Sequence, residues 1–188
     1  MTTVDYQVSA GADDCNWRTG YYSGNGTTLL LGGVMGSASG AYKSAARFTV
    51  TLPAGATITA AHVSLYITDI HGSPTADVYA EDAANPGAIS SEEDGESRSL
   101  TTAKVAWSSY DTGWTDSPDI SAVLSELLTD YSYAAGKALQ IILVGTSARN
   151  NYVVARAQES AGNTYGPKLH IEYTESAGGY AHSQCIII

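Results

Sequence analysis

Residues 46–68 read ARFTVTLPAGATITAAHVSLYIT, and the pattern in this stretch decides the fold class. Ala46, Phe48, Val50 and Leu52 alternate with polar neighbours, the two-residue period of a strand that turns one face to a core. Pro53 stops the run, and Ala-Gly-Ala leads into the longest alternating segment, residues 58–69. There Ala61, Val63, Leu65 and Ile67 point one way, while His62, Ser64, Tyr66 and Thr68 point the other. The two segments are expected to form a hairpin, and residues 75–82, entered through His71-Gly72-Ser73-Pro74, its antiparallel return.

Working outward, Val4, Tyr6, Val8 and Ala10 alternate in a first strand, and residues 27–31 form a second after a loop over residues 11–26. Residues 32–42 are a glycine- and serine-rich excursion. The stretch 85–99 is read as a long polar loop whose acids Glu92, Glu93, Asp94 and Glu96 are solvated. Ala103, Val105 and Trp107 make a strand, followed late in the chain by strands at 139–144, 152–157 and 168–173. Eight to ten short strands with turn residues between them specify an all-β, two-sheet antiparallel sandwich, not a parallel α/β sheet.

One segment breaks the two-residue period. In residues 117–131, SPDISAVLSELLTDY, the side chains Ile120, Val123, Leu124, Leu127, Leu128 and Tyr131 share one helical face. The expectation is a short amphipathic helix with Ser117 as N-cap, Pro118 in the first turn and Asp119 at the positive end of the dipole.

Composition excludes several roles. A formal net charge of −10 and an isoelectric point near 4.6 leave no basic stripe for nucleic acid or an anionic membrane. The opening MTTVDYQVSA has neither a basic nor an apolar leader region, so the expectation is a chain without a secretory signal. Cys15 and Cys185 do not make a disulfide framework and are expected to be reduced on synthesis, with a bridge after release left open. His62, His71, His170 and His182 lack metal-ligand spacing. Gly36-Ser37-Ala38-Ser39-Gly40 has alanine where a nucleophile elbow needs its nucleophile. No nucleophile–base or carboxylate pair follows from spacing, so the expectation is a protein that is not an enzyme.

Three sets of residues are candidates for binding. Trp17, Tyr21, Tyr22 and Trp114 are candidate sugar-stacking planes, with Asn16, Arg18 and Asn25 beside the first group as hydrogen-bonding neighbours. Residues 174–188 form a flexible tail outside the domain of residues 1–173. The tail carries Tyr180 and ends in Cys185, Ile186, Ile187 and Ile188, an apolar peptide whose docking would contribute about 1.5–3 kcal/mol per isoleucine. Its readings are folding back onto its own sandwich, insertion into a neighbouring subunit, or addition of a strand to a partner's sheet edge. The last four residues satisfy the prenylation pattern literally, but an atypical terminal isoleucine and the lack of a polybasic segment make that a coincidence. Asp13 and Asp14 lie in a glycine-rich loop, where carboxylates with main-chain carbonyls suit calcium and equally suit an ordinary loop cap.

The order of segments resembles the jelly-roll modules of tailed-phage structural proteins, which are similar in layout to carbohydrate-binding modules. The resemblance is carried by Ala12-Asp13-Asp14 after an opening strand, the 46–68 segment, TTAKVAW, SPDISAVLSELL, GKALQIILVG and YGPKLHIEY. It spans residues 4–173. It implies a two-sheet jelly roll made in the host cytoplasm and carried on a virion, acting as a capsid decoration protein or small head or tail component. It further implies assembly with sister subunits and other virion proteins, no catalytic residues, no required cofactor beyond a structural calcium near the first strand, and a surface glycan as the alternative partner. A subunit of an extracellular filament joined by strand exchange is the third reading.

Overall fold

The computed structural model describes residues 1–133 and 136–175. In chain order the elements are β1 (Thr2–Gln7), a 3-10 turn (Gly11–Asp13), β2 (Asp14–Arg18), β3 (Tyr21–Ser23), β4 (Thr28–Gly32), β5 (Lys43–Val50), β6 (Thr57–His71) and β7 (Ala76–Ala80). Then follow α1 (Glu92–Glu96), β8 (Val105–Trp107), β9 (Gly113–Asp116), α2 (Ser121–Asp130), β10 (Lys137–Gly145), β11 (Tyr152–Arg156) and β12 (Lys168–Thr174). They build two antiparallel sheets packed face to face, a β-sandwich.

β6 is the axis of the first sheet. Ser64 pairs with both Lys168 and Asp116, and Ile67 pairs with both Ala155 and Gly113. A residue has one bridge partner on each side, so β12 and β11 lie end to end along one edge of β6, with β9 along the other. β1 flanks β12 and β4 flanks β11. The second sheet runs β3-β2-β5-β10-β7-β8. Counting β1 with β4 and β11 with β12 as interrupted strands, and setting β2 and β3 aside as an edge addition, the order becomes 1-8-3-6 in one sheet and 2-7-4-5 in the other. That is the jelly-roll order.

The expected hairpins are not hairpins. β5 pairs with β2 and β10, while β6 pairs in the opposite sheet, so the Pro53 connection crosses the sandwich. β7 also leaves β6 and pairs with β10 and β8. A short turn serves either purpose, since facing sheets lie only about 10 Å apart. Alternation itself is obeyed: Phe48, Val50, Val63, Leu65, Ile67, Leu139, Ile141, Leu169 and Ile171 fill the space between the sheets.

α2 covers one margin of that space, packing against β6 and β7. Ile120, Val123, Leu124 and Leu127 are fully buried on the face read from the sequence. The helix starts later than expected because residues 117–120 continue the pairing on β6. Ser117 N donates to Val63 O at 2.8 Å, Val63 N to Ser117 Oγ at 3.1 Å, and Ile120 N to Ala61 O at 2.8 Å. Ser117 is therefore a strand partner and Ile120 occupies the N-cap position; Asp119, just before it, satisfies the first helical N–H, its Oδ1 accepting from Ser121 N at 3.0 Å and from Ala61 N at 2.9 Å.

The acidic stretch is not a solvated loop. Residues 92–96 form α1, capped by Ser91 Oγ, which accepts from Asp94 N at 3.1 Å. Each acid that turns inward has a partner. Glu92 accepts from Gly20 N at 2.8 Å, and Glu96 accepts from Trp17 Nε1 at 3.1 Å and pairs with Lys43 at 2.5 Å. Arg98 bridges Asp94 and the buried Glu81. Burial raises the Glu81 carboxyl against the pull of Arg98, whereas the Arg98 contacts hold Asp94 below its ordinary value. The segment thus seals a small second cluster of Cys15, Trp17, Ala45, Ile89 and Ile142 on the outer face of the second sheet.

Candidate ligand-binding face

Among the described residues, no other element covers with a core a row of side chains on the outer face of the first sheet. β6 supplies His62, Ser64 and Tyr66, all on the polar side of its alternation. β9 adds Trp114 and Asp116, and β12 adds Lys168 and His170, placed beside them by the registers Ser64↔Asp116, Tyr66↔Trp114, Ser64↔Lys168 and His62↔His170.

Two groupings result. The first is aromatic. Trp114 is 40% exposed and meets Tyr66 edge-on at 5.6 Å, and Tyr165, from the connection between β11 and β12, lies 4.2 Å from Tyr66 between ring centroids. Lys168 Nζ stands 4.0 Å over the Trp114 ring. A shallow depression of about 480 Å³ beside it is lined by Tyr66, Thr68, Gly113, Arg156 and Tyr165. The second grouping is polar. His62 and His170 stack at 4.6 Å, and His170 Nδ1 lies 2.7 Å from Asp5 Oδ1, with Glu172 at 3.6 Å from the other ring nitrogen. Burial lowers the His170 basicity, but the bonds to Asp5 and Glu172 outweigh it and raise the imidazole above its ordinary 6.5. Ser64 Oγ donates to Asp116 Oδ1 at 2.5 Å, and a second depression of about 430 Å³ lies over His62, Ser64, Lys168 and His170. Planar hydrophobic surface flanked by hydrogen-bonding groups is what a pyranose requires, since its ring presents C–H groups on a face and hydroxyls at the rim.

The four aromatic candidates do not meet here. Trp17 is fully buried beneath α1 in the second cluster and offers no face to a sugar. A tryptophan next to Asn16 and Arg18 reads the same whether it anchors a loop or stands free. Tyr22 is half-buried, with its hydroxyl donating to Ile89 O at 2.5 Å, and Tyr21 packs edge-on against Tyr42 at 6.3 Å. Both belong to β3, at the edge of the other sheet. Of the set, Trp114 alone lies on the face described. Tyr66 and Tyr165 escaped the sequence reading because one looks like ordinary strand alternation and the other sits in a turn.

Asp13 and Asp14 diverge. Asp13 is salt-bridged to Arg47. Asp14 points between the sheets, 2% exposed, and its Oδ2 accepts from Gln158 N at 2.8 Å. Among the described residues no group of three or more His, Cys, Asp or Glu side chains is disposed to hold a metal ion. Asp13 is thus engaged by an arginine, while Asp14 keeps one buried oxygen without a partner among the described residues. Cys15 is a free buried thiol, pushed up to about 12 chiefly by burial. Tyr180, Cys185, Ile186, Ile187 and Ile188, the candidate assembly residues, lie outside the described residues, as does His182. The sequence matches no protein-family model and no curated protein.

Proposed function

We propose that the chain is a non-enzymatic structural module of a tailed-phage virion whose outward face binds a neutral surface glycan. The observation that carries the glycan reading is Trp114, exposed on a sheet face beside Tyr66 and Tyr165 and bordered by Lys168, Arg156, Asp116 and the His62–His170 pair. The aromatic planes supply stacking area, the charged groups orient hydroxyls, and the shallow depressions suit an extended saccharide more than a small enclosed substrate. The virion setting is supported by the order of segments in the chain.

A second reading, a capsid decoration or cement protein that reinforces subunit joints, is favoured by the apolar ending Cys185-Ile186-Ile187-Ile188. The two readings assign different parts of one molecule and answer to one experiment. Glycan-array binding and occupancy on candidate particles are measured for the wild type, for Trp114→Ala and for a chain ending at Gln184. Loss of glycan binding in Trp114→Ala, with the fold retained, supports the glycan reading, and undiminished binding refutes it. Wild-type occupancy by the shortened chain refutes attachment through the tail.

A further inference from the structure

A third depression, of about 370 Å³, opens beside β9 and is lined by Trp107, Asp111, Trp114, Thr115, Asp116 and Pro118. Among the described residues no basic side chain lines it. The connection 108–112 shapes it. β8 ends in the second sheet at Trp107, β9 starts in the first at Gly113, and the chain between them folds over its own tryptophan. Trp107 is 1% exposed, donates from Nε1 to Ser109 O at 2.8 Å and stacks on Tyr110 at 4.8 Å. Thr115 Oγ1 donates to Asp111 O at 2.7 Å, which holds the exposed Asp111 beside the strand. Trp114 and Asp116, two positions apart on β9, face outward together. Asp116 meets Ser64 and His62 yet keeps 57% of its side chain exposed.

What such a surface attracts is visible at Trp114. Its ring carries the Lys168 ammonium 4.0 Å from the centroid, although Lys168 belongs to β12 and reaches it across Ser64 of β6. Indole is the best of the aromatic faces for a cation, because its quadrupole presents negative charge there. Two carboxylates border that indole on a chain of formal charge −10, and both favour a positive ligand. The kind of cation follows from solvation. A primary ammonium gives up hydrogen bonds to water when it is covered, whereas a quaternary one has no N–H to desolvate and spreads its charge over methyl groups that pack on a ring.

We propose that this depression binds a quaternary ammonium head group, with the Trp114 ring as its plane, Trp107 as an apolar wall, and Asp111 and Asp116 as counter-charges. The site shares Trp114 and Asp116 with the saccharide face, whereas Asp111 belongs to it alone. It does not depend on the glycan reading.

The full chain is titrated at constant ionic strength with choline chloride and with neutral dimethylbutanol, in which carbon replaces the charged nitrogen. Tryptophan fluorescence and the indole N–H resonances report binding. Choline is expected to bind with a Kd of about 1–30 mM, as suits so small a ligand, and roughly 2–30-fold more tightly than the alcohol. Asp111→Asn is expected to weaken choline binding by about two- to fivefold and to leave any saccharide binding unchanged. Lys168→Met, which removes a competing cation, is expected to strengthen it. Trp114→Leu keeps apolar area without a ring and is expected to abolish the preference for choline over the alcohol. Co-sedimentation with phosphatidylcholine vesicles identifies the source: vesicle binding assigns the head group to a lipid surface, and choline binding without it assigns a soluble or polymer-borne form. Both results support the site. No response of the folded wild type below about 100 mM choline, equal affinity for the alcohol, or undiminished choline affinity in folded Trp114→Leu or Asp111→Asn overturns the proposal. Choline binding by a chain that binds no saccharide refutes the glycan reading alone.

Discussion

Replacing Trp17 with alanine separates an anchoring tryptophan from a binding one. The side chain is fully buried, donates from Nε1 to Glu96, and lies so close to α1 that a Cβ at Gly95 would approach its Cε2 to 2.7 Å. Truncating a buried tryptophan costs about 3–5 kcal/mol, and α1 has too little apolar surface of its own to collapse into the space. At about 2–4 °C per kcal/mol for a domain of this size, the melting temperature should fall by roughly 6–20 °C. Trp114, partly exposed and held mainly by an edge-on contact with Tyr66, should cost no more than about 1.5 kcal/mol, or roughly 6 °C. Differential scanning calorimetry of the two variants, paired with saccharide binding, makes the comparison. The reasoning fails if Trp17→Ala melts within about 6 °C of the wild type, or if it abolishes glycan binding while leaving stability unchanged.

Arg98→Ala should destabilise the domain by about 3–5 kcal/mol in urea titration, because it leaves the buried Glu81 with Gln140 as its remaining side-chain partner. Adding Glu81→Gln should recover part of that loss, and no recovery would mean that charge is not its cause. His170 makes stability depend on pH. Its folded-state pKa lies above 6.5, so its contribution is complete below 6.5 and is lost as pH rises through the raised value. Melting temperatures measured across about pH 5 to 8 should show this decline in the wild type and a smaller one in His170→Asn.

Periodicity carried much of the fold. The alternation in β5 and β6 and the apolar face of α2 reflect burial of individual side chains, which residue type reports directly. Pairing is different. Nothing local in Pro53-Ala54-Gly55-Ala56 distinguishes a hairpin turn from a crossing between sheets, and Ser117 looked like a cap because its use by the β6 edge depends on a strand more than fifty residues earlier. Trp17 and Trp114 were alike as sequence, because what separates them is α1, a helix whose acids read as a solvent-facing run.

The interrupted outer strand of the first sheet has a consequence for how the chain matures. β1 pairs with β12 through registers such as Thr2↔Tyr173 and Gln7↔Lys168, so the first residues made wait for the last strand. Until then the part of that edge of β6 from Thr57 to Ser64 has no neighbour. A growing chain on the ribosome would expose that edge throughout synthesis, and the sheet would close in a single late, long-range step. Such high contact order predicts slow refolding and sensitivity to C-terminal truncation upstream of Thr174.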